Sequence, residues 1–161
     1  MLKRTIIFII AALFIFNTGV AKENDKLLKI SATVKPYKIK QGKDGILRIV
    51  IKPKFGIKIA SHPELRIKLG ENNNVSFSKF FFNSSELGFK TIKNNGSVFL
   101  KIDEKVIPIS FKLKNDALLG TRRIDGEIIF TAVFKDNWSI KTFQKFTAYF
   151  ISLKNNKIRN Y

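Results

Sequence analysis

The chain has no cysteine and one histidine among its 161 residues. Without a thiolate it has no disulfide, no thiol exchange, no thiolate–metal bond and no cysteine nucleophile of its own. One histidine, His62, falls short of the three or four ligands of a typical zinc centre, so no metal is expected and no cofactor is implied. Acidic residues are scarce as well, 12 against 30 Lys and Arg. Asp103, Glu104, Asp125 and Glu127 sit near turns, but so few carboxylates give little support to a paired glycosidase-type site. A Ser-His-Asp triad would need Ser61 or a distant serine beside His62, and no serine lies in a nucleophile-elbow pattern. The chain reads as a non-enzyme.

Long apolar runs are also missing, with one exception at the start. In MLKRTIIFIIAALFIFNTGVAKEN, Lys3 and Arg4 precede an unbroken apolar stretch from Ile6 to Phe16, and Gly19-Val20-Ala21 supplies small residues beyond it. This is the layout of a secretory signal with cleavage after Ala21. The stretch is shorter than the roughly 20 residues that span a bilayer, which leaves an uncleaved anchor as the second reading. No cysteine follows it, so a lipoprotein anchor is excluded. Residues 1–21 are thus expected to be a signal peptide and 22–26 a short leader. Residues 27–153 would form one β domain, and 154–161 (within which NNKIRNY is the polar end) a frayed tail. The expected location is the periplasm or the extracellular space, with no membrane span after cleavage.

What remains is strongly basic, with a formal charge of +18. Outside the cytoplasm such a charge suits anionic lipid, acidic polysaccharide or an acidic protein, and nucleic acid is not an expected partner. The lysines are scattered singly, as in LRIKL and ISFKLK, rather than clustered. Solvated strand faces account for that spacing, and charge there also discourages edge pairing.

Period-two alternation dominates beyond residue 26. Ile30, Ala32 and Val34 alternate with Lys29, Ser31 and Thr33, and Leu47, Ile49 and Ile51 with Arg48 and Lys52. Leu65, Ile67 and Leu69 follow the same rule, as do Ile107, Ile109, Phe111 and Leu113. Strands with one buried face produce this pattern. Turn chemistry separates the runs at Gln41–Gly45, Gly70–Asn74, Asn94-Asn95-Gly96 and Asn115-Asp116. Pro36, Pro53, Pro63 and Pro108 mark strand ends or edges, because proline donates no ladder hydrogen bond. Seven to nine short strands, with no sustained amphipathic helix, predict an antiparallel β-sandwich; a small closed barrel is the alternative. Val75–Phe82 fits either a strand or a short irregular segment.

The stretch from Gly120 to Phe150 carries the clearest hairpin. Asp125-Gly126 precedes a strand with Ile128, Phe130, Ala132 and Phe134 on one face and Ile129, Thr131 and Val133 on the other. Apolar content on both faces predicts a central strand. Lys135, Asp136 and Asn137 turn the chain, and the return strand carries Phe146, Ala148 and Phe150 on one face.

Between about Val106 and Phe150 this arrangement resembles the amino-terminal periplasmic domain of the thiol–disulfide reductase DsbD. Val106-Ile107-Pro108-Ile109-Ser110-Phe111 matches that family's first strand element, and Asp116-Ala117-Leu118-Leu119-Gly120 its second, with Leu118 in place of the usual proline. Asp125 to Ala132 matches the strand entering the family's redox turn, and Lys52–Ile57 more weakly its upstream element. The resemblance implies an immunoglobulin-like sandwich in the cell envelope. It places Val133 and Ser139 where the family has its two cysteines, so the family's disulfide chemistry does not carry over. It implies instead a protein-binding or accessory module whose partner is another envelope protein. Contact would run through Phe134, Asn137 and Trp138 or through a sheet edge. Two other readings stand beside it. One is an accessory role in thiol–disulfide exchange or cytochrome c maturation with cysteines from another protein. The other is contact with anionic lipid or polysaccharide.

Trp138, the sole tryptophan, offers either an exposed binding ring or a ring packed over the end of the core, and the area a tryptophan buries favours packing. Phe80-Phe81-Phe82 cannot all point inward if extended, so at least one lies on the other face. Four sequons, at Asn74, Asn83, Asn95 and Asn137, are expected by chance in so Asn-rich a chain.

Overall fold

The computed structural model describes residues 26–102 and 105–156. The expected signal segment, leader residues 22–25, Asp103, Glu104 and tail residues 157–161 lie outside the described residues.

Twelve strands run in order among the described residues. They are β1 (Leu28–Lys35), β2 (Lys38–Lys40), β3 (Asp44–Pro53), β4 (Lys58–Ile59), β5 (Arg66–Leu69) and β6 (Val75–Phe77), then β7 (Phe81–Asn83), β8 (Lys90–Asn94), β9 (Ser97–Lys101), β10 (Val106–Leu113), β11 (Gly120–Val133) and β12 (Ser139–Leu153). One sheet has the order β1-β3-β10-β6, and a second has the order β2-β12-β11-β5-β7, with β4 pairing β11 beyond β5. The two pack face to face. Leu47, Ile49 and Ile51 of β3 and Ile107 and Ile109 of β10 are buried in one core with Ile128 and Phe130 of β11 and Phe150 of β12. The Phe111 ring reaches across the layers to Phe150 at 5.7 Å, and Phe77 of β6 stands 5.9 Å from Phe111. Facing apolar stripes of this kind are what alternation on both sheets produces.

The fold differs from the sequence reading in four respects. It has more strands than nine, because β2, β4, β6 and β7 are only two or three residues long, too short for a repeated alternation to mark them. It is not wholly antiparallel, since β2 pairs parallel with the end of β12, Lys38 opposite Ile151. Val75–Phe82 is neither one strand nor irregular: β6 joins the first sheet at β10 and β7 the second at β5, so the segment crosses between layers. Finally, Asp125-Gly126 does not precede a strand but lies inside β11. A β-carbon on Gly126 would collide with the Phe146 ring and sit 2.9 Å from the Lys68 carbonyl oxygen, so glycine there admits a close approach rather than a turn.

The β8–β9 hairpin forms a third, two-stranded sheet. Asn95 and Gly96 at its tip both have positive φ, 47° and 79°, the requirement of a tight two-residue hairpin turn. The hairpin is tied to the second sheet through residues 58–61. Ala60 donates its N–H to the Thr131 carbonyl of β11 and bridges Phe99 of β9, while the Ser61 N–H donates to the Val98 carbonyl. Residues 58–61 therefore lie between β9 and β11, and the second sheet continues sideways into the hairpin. No helix among the described residues is long and apolar enough to cross a membrane.

Candidate functional site

The β11–β12 hairpin closes through a three-residue loop, Lys135-Asp136-Asn137. The Asn137 N–H donates to the Phe134 carbonyl at 3.0 Å, and the Phe134 N–H donates to the Trp138 carbonyl at 2.8 Å. Asn137 sits at φ 62°, the left-handed position that such loops require and that asparagine tolerates. The Asp136 carboxylate accepts from the Trp138 N–H at 3.4 Å.

This closure fixes the register. Val133 and Ser139 are direct cross-strand partners. Because the 134/138 pair carries the ladder bond, the alternation of an antiparallel ladder makes 133/139 a non-hydrogen-bonded pair, whose side chains approach most closely. Val133 is half-buried and Ser139 exposed. Trp138 does not pack over the end of the core: it is 56 % exposed, and its ring rests against Phe134, centroids 4.7 Å apart. Its place at the loop end, one residue past the turn, carries the ring beyond the facing sheet, so the core has no surface to offer it.

Beside the hairpin lies a cleft of about 490 Å³. Its walls are the 58–62 segment, the β8–β9 turn and the β11–β12 turn. Val133, Asn137 and Ser139 all line it, so the structure brings these three sequence-derived positions together, while Phe134 and Trp138 lie outside it. The floor is apolar where Ala60, Val98 and Phe99 contribute, and the rim is neutral and polar through Asn94, Asn95 and Ser97. Lys58 is the one permanently charged group, its Nζ 4.9 Å from the centre of the Phe99 ring, and no carboxylate lines the cleft among the described residues. Lys58 and Phe99 were not singled out by sequence reasoning, and Asn94-Asn95-Gly96 was read as a turn but not as a wall of this cleft. Their contribution depends on the lateral join through Ala60, which leaves no local pattern.

His62 lines the cleft from an exposed position. Its Nδ1 is 3.2 Å from the Ser61 hydroxyl, but Ser61 is only 4 % exposed and its hydroxyl donates to the Val98 carbonyl at 2.9 Å. That bond holds the proton a nucleophile would have to give up. No group of three or more His, Cys, Asp and Glu residues that could hold a metal occurs among the described residues. Of the Phe80–Phe82 run, Phe80 and Phe81 are exposed and Phe82 packs partly against the core.

No family model and no curated protein matches the chain. Among solved structures it is similar to BcpA, the major pilin subunit of Bacillus cereus, at 8 % identity and a TM-score of 0.36 over 80 % of this chain. This chain spans about 40 % of that pilin's length. It is similar to a type I cohesin–dockerin complex from Clostridium thermocellum at 14 % identity and a TM-score of 0.37, covering 78 % of this chain and 99 % of that one. The collagen-binding subdomain ACE19 of the Enterococcus faecalis surface protein ACE gives 7 % identity and a TM-score of 0.36, covering 84 % of this chain and 100 % of that one. At these scores the similarities assign neither a family nor an activity.

Proposed function

We propose that the chain is an exported, non-catalytic sandwich of the DsbD amino-terminal-domain kind, immunoglobulin-like in class. In this reading it serves as a binding or accessory module for another envelope protein, engaged through the cleft beside the β11–β12 hairpin. The observation that carries the reading is the pairing of Val133 with Ser139 across the hairpin, both lining that cleft. A turn shaped in this way keeps a recognition surface after the sulfurs are gone, because backbone pairing rather than cysteine sets its geometry. The apolar floor and uncharged polar rim suit an extended segment of a partner, with amides and hydroxyls to pair its backbone. Periplasmic or extracellular location rests on the signal-like start of the sequence.

The test is capture from envelope extract with the wild-type chain and with Ser139→Arg, which fills the cleft from an exposed position and leaves the core untouched. Loss of a discrete partner with unchanged far-ultraviolet circular dichroism supports the proposal. Identical partner profiles remove the cleft from it. A second reading, a thiol–disulfide pathway in which another chain supplies the cysteines, is favoured by the same non-hydrogen-bonded pair. It requires the captured protein to carry a redox-active cysteine pair, and capture of cysteine-free partners alone would count against it.

A further inference from the structure

The most exposed large apolar side chain on the described surface lies next to the hairpin rather than in the cleft. Phe55, at the apex of the 54–57 loop between β3 and β4, is 95 % exposed. Its loop and the 134–138 loop meet. The Lys135 ammonium stands 4.5 Å over the Phe55 ring, and Gly56, at φ 81°, lies so near Lys135 that an added β-carbon would be 3.2 Å from the lysine Cε. Phe55, Ile57, Phe134 and Trp138 line one shallow, open depression of about 380 Å³ with Lys135 and Asp136. Lys135 is the lysine that lines this depression, Lys54 belongs to the same loop as Phe55, and Asp136 is the one carboxylate in either loop.

The Phe55 and Trp138 rings project from two loops at one end of the sandwich, outside the core, while Phe134 beneath them packs partly against it. A phenylalanine in this position is a liability in water unless something apolar receives it. A protein partner would have to bring a pocket for each protruding ring. A bilayer needs none, because aromatic rings settle at the boundary between headgroups and acyl chains, and flanking lysines meet the phosphates of anionic lipid. The Lys135 ammonium at the tip and the chain's formal charge of +18 select an anionic surface by charge complementarity. We propose that the 54–57 and 134–138 loops dock the domain end-on against a bilayer containing anionic phospholipid, with Phe55 and Trp138 entering the interface. The cleft opens on the side of the hairpin, so a docked domain still presents it to a partner.

The test uses residues 22–161, which contain all twelve strands and omit the apolar Ile6–Phe16 stretch that would bind lipid by itself. Phosphatidylcholine vesicles with and without phosphatidylglycerol are the probes, read by co-sedimentation and by the emission of Trp138, the only tryptophan. Binding to the phosphatidylglycerol vesicles, with a blue shift of Trp138 and protection from aqueous quencher, is expected. Phe55→Ser and Trp138→Ser should each weaken partitioning about tenfold, or about 1.4 kcal/mol. A Leu118→Ser, Leu119→Ser variant, which removes two exposed leucines from the loop at the other end of β11, should bind as the wild type does. Absence of binding overturns the proposal. So does binding that leaves Trp138 emission unshifted, or binding that the Leu118/Leu119 variant loses equally. Capture of a protein that depends on Phe55 and Trp138, without vesicle binding, would reassign the tip to a protein contact.

Discussion

A disulfide placed across the hairpin would test its geometry from within. Val133 and Ser139 pair one step below the 134/138 pair that closes the loop, and the 134/138 ladder bond makes them a non-hydrogen-bonded pair. Such pairs have Cα atoms about 4.5 Å apart, inside the range a disulfide spans. The double variant Val133→Cys, Ser139→Cys adds the only two thiols in the chain, so no competing pairing exists. The bond closes a loop of seven residues, for which the chain-entropy estimate is about 2 kcal/mol of stabilisation. In a domain of this size that corresponds to roughly 8 °C in melting temperature. Removing the half-buried valine methyls has its own cost, so the comparison is between oxidised and reduced forms of the same variant, in which that cost cancels. Thiol counting with a maleimide and thermal melts of both forms provide the readout. Thiols that stay free under mild oxidant, or an oxidised form that melts below the reduced one, would refute the cross-strand geometry.

Other expectations follow from the packing and the surface charge. Phe150→Ala empties a fully buried site between the sheets, against Phe111, and should cost about 3–5 kcal/mol in a urea melt; a loss under about 1 kcal/mol would contradict that placement. Gly126→Ala forces a β-carbon against the Phe146 ring and the Lys68 carbonyl and should destabilise by about 1–3 kcal/mol, whereas a stabilised variant would show that β11 and β12 can separate there. The Lys79 ammonium, 2.7 Å from Glu86, and then the Asn83 N–H at 2.9 Å hold the Glu86 carboxyl below its ordinary value. A carboxyl depressed in the folded state contributes stability above its unfolded pKa and loses it as pH falls through the folded value. An NMR titration should accordingly place the Glu86 midpoint below that of an ordinary glutamate, and Lys79→Gln should raise it.

Strands that bury one face were plain in the sequence. Leu47, Ile49 and Ile51 of β3 and Ile107 to Leu113 of β10 alternate as they do because each second side chain enters the core. The central position of β11 was legible for the same reason, from apolar residues on both faces. The short elements were not. Lys38–Lys40 is a strand only because the end of β12 lies alongside it, and Lys58–Ile59 only because β11 does, so their cause is distant in sequence. Aromatic residues were the least legible. Phe55 and Phe130 are the same residue type at opposite extremes of exposure, and what separates them is the apex of a loop against the middle of a strand. Trp138 misled for a related reason: its apolar area favours burial, but its place beside the turn puts the ring beyond the reach of the facing sheet. The cleft needed the lateral join through Ala60, so Val133, Asn137 and Ser139 were identifiable from the hairpin, but the wall opposite them was not.

The cleft side of the hairpin is the proposed partner surface. A photo-crosslinking residue placed at Ser139, and separately at Tyr149, tests this directly in cells. Both positions are exposed on the same face of β12, ten residues and about 33 Å apart. A discrete crosslinked envelope protein from position 139 and none from position 149 is the predicted result. Equal products from both positions, or none from 139, would contradict it.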